Sequence, residues 1–137
     1  MSGGAAQLVE VLTAEGGLLA GALRPGVRDA PPADEALLEP IPPGPYALTL
    51  AAVREGYLLH YAQGTVVDAA ADPDLALLGG DRLYAAAVAE LAALGDLEAV
   101  AVLAELISDC ARAHADGDPA LAVAAWESAV RAVGPRG

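Results

Sequence analysis

Two histidines, one cysteine and a short run of aspartates are the residues here whose chemistry could reach beyond packing. His60 and His114 could form a metal-binding or acid–base pair. No acidic residue sits at a spacing that would enforce such a pair, so both read as structural. His60 comes between Tyr57 and Tyr61 on an apolar face, the setting of a hydrogen-bonded core histidine. His114 ends an apolar seam, where it suits a helix C-terminus. Asp68, Asp72, Asp74 and Asp81 lie close in sequence, and a magnesium site would need such carboxylates to converge on one ion. Asp72 is better explained as a helix cap, and Asp74 as a first-turn acid that complements the helix dipole. Asp81 is the exception, because it falls inside a helix next to Gly79-Gly80. Cys110 has no lysine near it and lies far from its helix start, so it reads as a buried apolar residue. Ser2, Ser108 and Ser128 show no nucleophile context. Gly79-Gly80 lacks the rest of any phosphate-binding loop and reads as a place where another helix approaches closely. The residues therefore predict no metal site, no cofactor and no catalytic set.

The elements that must position these residues are helices. Residues 72–116 read as two long helices joined at Gly95-Asp96, an αα-hairpin around which the chain is organised. Asp72-Pro73 is a strong start signal, with a capping aspartate and a proline just inside. The second helix of the hairpin repeats Val100, Leu103, Ile107, Cys110 and His114, the spacing of a packing seam. Ala99, Val102, Leu106 and Ala113 form a second apolar stripe beside it. Such a helix needs two covers. The first helix is one; the other must come from elsewhere in this chain or from a second chain. Val100, Leu103, Ile107, Cys110 and, on the last helix, Trp126 are the expected interface residues.

Before the hairpin, residues 5–23 show a helical pattern weakened by Gly16-Gly17. Residues 25–45 hold seven of the ten prolines and read as a linker, with a short helical turn at 34–38. Gly44-Pro45 predicts the start of a helix carrying Tyr46, Leu50, Val53, Tyr57, His60 and Tyr61 on one face, with Arg54-Glu55 on the opposite face. Thr65-Val66-Val67 is β-branched but too short to predict a strand. After Gly117, the start signal recurs at Asp118-Pro119, and Gly134-Pro135 stops the last helix. The domain organisation expected is an N-terminal helical segment over 1–24, the linker over 25–45 and a helical core over 46–137.

The bulk composition narrows the function classes. The chain of 137 residues is one domain by length, with 55% hydrophobic residues and a formal net charge of −12. It has no lysine, so the basic footprint of a nucleic-acid binder is missing, and anionic membrane surfaces are disfavoured. Mean hydropathy is high at +0.44, yet no run of ~18 residues is apolar and uncharged, so no membrane span is expected. The start of the chain lacks the basic n-region of a signal peptide, which predicts a cytoplasmic protein. A single cysteine excludes an internal disulfide framework.

Two stretches carry a family resemblance. Leu77-Leu78-Gly79-Gly80-Asp81-Arg82-Leu83-Tyr84, followed by an alanine-rich helix, resembles the "LLAGDYLLA" segment of trans-polyprenyl diphosphate synthases. Ala51-Ala52-Val53-Arg54-Glu55-Gly56-Tyr57-Leu58-Leu59-His60 resembles the helix leading into that family's first aspartate-rich motif, which typically ends "LIHDD". The likeness spans residues 46–117. Where the family carries its first two metal-binding aspartates, this chain has Tyr61 and Ala62. The rest of that loop and the second aspartate-rich motif have no counterpart. The family ionises its substrate with magnesium held on both motifs, so the resemblance implies scaffold without that catalysis.

The expectations that follow are an all-α protein of about five helices around a central antiparallel hairpin. The resemblance implies an isoprenoid synthase-like partial bundle, and the second apolar stripe predicts a dimer. The first function expected is a non-catalytic helical subunit that associates with itself or with a larger prenyl synthase chain. The alternative is a binding protein for a prenyl or other apolar ligand, in a pocket lined by Tyr57, His60, Tyr61, Leu83 and Tyr84. The family's chain-length-limiting position, four before its first aspartate, corresponds to Tyr57, whose ring would make that pocket shallow. A structural homo-oligomer within a larger assembly is a further alternative.

Overall fold

A computed structural model describes residues 3–24 and 40–135. Within them the chain forms six helices: α1 (Gly4–Glu15), α2 (Gly17–Gly21), α3 (Ala47–Tyr61), α4 (Pro73–Leu94), α5 (Leu97–Ala115) and α6 (Pro119–Val133). The protein is all-α, as its sequence predicts. The one β feature among the described residues is an isolated antiparallel bridge between Leu23 and Val67. Arg24 N donates to Val66 O and Asp68 N donates to Ala22 O, each at 2.8 Å. The β-branched run thus ties the α3–α4 connector to the residues after α2. Among the described residues, no helix is long and apolar enough to cross a membrane.

The helix ends follow local chemistry. Asp72 Oδ1 accepts from Leu75 N at 3.1 Å, and Pro73 opens α4. Gly95 closes it in the left-handed conformation at φ 74°. Asp96 then caps α5 by accepting from Ala99 N at 3.0 Å. Asp118 departs from the expected device, because Pro119 follows it but its side chain makes no capping bond. Asp72→Ala is therefore expected to cost about 1 kcal/mol. Urea unfolding reads this as a lower midpoint at unchanged slope, and Asp118→Ala should leave the midpoint in place. The helix expected from Pro45 begins at Ala47, because Ala47 N first closes a tight turn on Gly44 O.

The centre of the fold is α3 rather than the α4–α5 hairpin. Twelve of its 15 residues are buried. Among them are Arg54 and Glu55, expected on the solvent side and found at 8% and 1% exposure. Burial pulls the Arg54 guanidinium below its ordinary pKa, and the adjacent Glu55 opposes that shift. α4 lies mainly along α3, whereas α5 lies mainly along α6; α4 and α5 meet only sparsely. The second cover of α5 thus comes from α6 in the same chain. The buried line of α5 is Ala99, Leu103, Leu106, Cys110 and Ala113. It runs between the two expected stripes and takes members from both, leaving Val100, Val102 and Ile107 half-buried at its edges. Leu103, Cys110 and Trp126, expected at an interface, are inside the chain's own core.

α1 contributes Leu8, Val9 and Leu12 to the same core cluster. The segment 1–24 and the helices after 46 therefore share one core wherever they are described. Most of the expected linker, residues 25–39 including the turn at 34–38, lies outside the described residues.

Candidate functional site

The last turns of α3 cross α4 at two glycines. A Cβ placed on Gly56 would fall 2.7 Å from the Tyr84 ring, and one on Gly80 would fall 2.7 Å from the His60 ring. Each glycine is thus roofed by a ring from the opposite helix. The backbones are close as well: the same Cβ positions lie 3.1 Å from Gly80 O and Gly56 O, respectively. The two rings stack on each other, with centroids 5.3 Å apart and planes 23° apart. His60 Nε2 also reaches Asp81 Oδ1 at 3.0 Å, and that carboxylate is largely exposed.

α5 completes the cluster with Cys110 and His114. The His114 ring stacks on Tyr61 at 4.2 Å and 6°. Its Nε2 shares a 2.6 Å hydrogen bond with the Tyr57 hydroxyl. Spacings of three and four residues put Tyr57, His60 and Tyr61 on adjoining faces of one helix. The crossing then brings Tyr84 to them, and the end of α5 brings His114.

Four of the five residues expected to line a pocket, Tyr57, His60, Tyr61 and Tyr84, therefore meet in space. Leu83 does not join them; it is fully buried in the core. One residue along a helix is a rotation of about 100°, enough to turn it away from Tyr84. Two pairings carry no signal in the sequence, His60 with Asp81 and His114 with Tyr57. Both join residues on different helices, so no local spacing could signal them.

The cluster is electrostatically quiet. Burial raises the Tyr84 phenol, reinforced by Tyr61, Cys110, Tyr57 and Asp81 around it. Burial also raises the Tyr61 phenol, with Cys110 adding to the effect. The Cys110 thiol is pushed up to about 11, mainly by burial and then by Asp109. It is protonated at neutral pH and poorly nucleophilic. Iodoacetamide at pH 8 is accordingly expected to alkylate Cys110 at least about tenfold more slowly in the folded chain than in urea. Equal rates would show a reactive, accessible thiol. Among the described residues, no group of three or more His, Cys, Asp or Glu side chains is arranged to hold a metal ion.

A second polar centre lies on the other side of α3. The Glu55 carboxylate accepts from Thr65 N at 3.0 Å, Thr65 Oγ1 at 3.1 Å, Val66 N at 3.0 Å and Val67 N at 2.9 Å. Both oxygens are engaged twice, so this carboxylate holds the connector in place and is not a free base. Tyr46 performs a similar service at the other end of α3, where its hydroxyl donates to Asp96 Oδ2 at 2.7 Å.

No protein-family model, curated protein or solved structure matches this chain. Function must therefore be argued from the site and surface themselves. The geometry offers a partly open stack of rings. The titratable groups of that stack are either paired or protonated, and the buried Glu55 carboxylate on the other side of α3 is committed to the Thr65, Val66 and Val67 donors.

Proposed function

We propose that this chain is a non-catalytic helical subunit that acts by association, docking through the outer face of α4. One observation carries this reading: α4 is apolar toward water as well as toward α3. Leu77 and Leu78 are 54% and 69% exposed, and Val88, Ala85, Ala89 and Ala92 continue the exposed face. The charged side chains in its middle are already engaged, Asp81 with His60 and Arg82 with Glu15 at 2.8 Å. A helix apolar on both sides is one that a partner covers. Small residues between the larger ones let a second helix come close. The stretch that resembles trans-polyprenyl diphosphate synthases falls on the first half of this helix. On that resemblance, the partner is a second copy of this chain or a larger prenyl synthase subunit.

Size-exclusion chromatography with light scattering tests this reading at micromolar concentration, together with co-purification against a full-length synthase from the same organism. The expected result is an assembly that Leu78→Glu reduces to a monomer of unchanged helicity. A wild-type monomer that also leaves the synthase unbound and its product length unaltered would remove the reading.

A second reading is favoured by the ring cluster. Tyr61 is 38% exposed and backed by His114, so a flat or prenyl-like apolar ligand could lie against it. Native mass spectrometry of freshly purified protein would reveal a carried prenoid or quinone. A ligand-free spectrum of the folded chain counts against it.

A further inference from the structure

α5 and α6 lie along each other, and two open cavities of ≈ 250 Å³ and ≈ 360 Å³ follow their seam. The cavities share Asp109 and Ala125, so they are two ends of one groove. Its floor is apolar, because Leu106, Ala113 and Ala129 are buried there. Its two walls differ in chemistry. The α6 wall is small and uncharged, with Ala124, Ser128 and Ala132 exposed, and it ends on Leu121, which is 54% exposed. The α5 wall carries the carboxylates of Glu105, Asp109 and Asp116. Arg112 is the one cation beside them, and it is already bridged to Asp109 at 3.6 Å. Glu105 and Asp116 are exposed and have no ion pair among the described residues. From Val102 to Asp116 this wall runs about 21 Å, about four helical turns.

Small side chains over an apolar floor let another helix come close. An apolar groove of this length is the shape that an amphipathic helix fills. The acidic wall then meets whatever lies along one edge of that helix, and lysine or arginine there is complementary to it. A second copy of this chain cannot supply such an edge. The chain has 19 acidic residues against seven arginines and no lysine. Its helices α3, α4, α5 and α6 carry one arginine each, and α1 and α2 carry none. We infer that the α5–α6 groove is a docking site for a basic, amphipathic helix of another protein. The groove uses no residue of α4, so the inference does not rest on association through that helix.

The test is an amide chemical-shift titration of the full chain with a synthetic peptide of about four helical turns. The peptide contains only leucine and lysine, with leucine at helical spacing on one face. One comparison peptide replaces every lysine with glutamate. The other keeps the composition but shuffles the order, so that leucine lies all round the helix. The expected shifts centre on residues 102–116 and 121–132. The patterned basic peptide should bind at least about tenfold more tightly than either comparison. Glu105→Lys with Asp116→Lys, both at exposed positions, should weaken it at least about tenfold, since two attractions become repulsions. Asp74→Lys with Glu90→Lys changes the net charge equally but lies on α4, and should cost less than about threefold. Ala125→Leu keeps every charge and fills the point that both ends of the groove share, so it should cost at least about fivefold. The inference is overturned if the peptide does not bind or if its shifts map elsewhere. Equal binding of the acidic peptide would show a merely apolar contact, and equal binding of the shuffled one a merely ionic contact; either overturns it. So does a groove reversal that costs no more than the α4 reversal, or binding unchanged in Ala125→Leu. Shifts of the same groove with protein concentration alone would show that a second copy covers it, and would overturn the inference as well.

Discussion

Replacing Glu55 with alanine is expected to lower the free energy of unfolding by about 3–5 kcal/mol. The carboxylate is 1% exposed and accepts four hydrogen bonds, three of them from consecutive backbone N–H groups at Thr65, Val66 and Val67. Val66 and Val67 are themselves buried. Removing the carboxylate leaves their donors without an acceptor in a place that water reaches poorly, at about 1–3 kcal/mol for each group so stranded. The damage also spreads, because the same segment pairs with Leu23 and carries two valines into the core. Trp126, 1% exposed, is the natural reporter of urea unfolding by fluorescence. Glu55→Gln should lose less, since it keeps the shape and one acceptor oxygen while turning an amide NH₂ toward N–H donors. A Glu55→Ala midpoint within error of wild type would mean that the connector does not depend on this carboxylate.

The second large effect is one of sign. Gly→Ala inside an exposed helix gains roughly 1 kcal/mol from propensity alone. At Gly80 the added methyl would meet the His60 ring at 2.7 Å and Gly56 O at 3.1 Å. Neither neighbour yields freely, since the ring is held by Asp81 and stacked on Tyr84, and the carbonyl belongs to the central helix. Gly80→Ala and Gly56→Ala are each expected to destabilise by about 1–3 kcal/mol, the usual cost of overpacking. Gly79→Ala is the internal control. Its methyl would meet only the ends of Leu19 and Leu59, which can turn aside, so it should be near neutral. Thermal and urea unfolding of the three variants decide the matter. A Gly80→Ala protein at least as stable as wild type would show that α3 and α4 do not need their closest approach there.

These two sites also mark how far a reading of the chain reaches. The Gly79-Gly80 pair announces a close helix contact, and the structure gives that role to Gly80. Tyr57, His60 and Tyr61 are legible as a group from helical spacing, whereas nothing local chooses Tyr84 over the equally expected Leu83 as their neighbour from α4. His114 and Asp81 were visible only as single residues. Their partners come from other helices, and a spacing rule covers only a few residues along one element. The interface expected through Leu103, Cys110 and Trp126 turned inward for a related reason. Two apolar stripes on α5 leave its orientation open until α6 lies against it.

By itself the sequence determined that the protein is helical and where most helices begin and end. Asp72, Pro73, Gly95 and Asp96 act on backbone groups within a few residues of themselves, so their effect does not depend on the rest of the fold. Only the tertiary structure decided that α3 is the centre, that α4 and α5 part after their turn, and that Glu55 lies inside. Burial is a property of whatever comes alongside. A charged side chain enters a core only where donors arrive to meet it, and here they arrive from a loop that begins ten residues further along the chain.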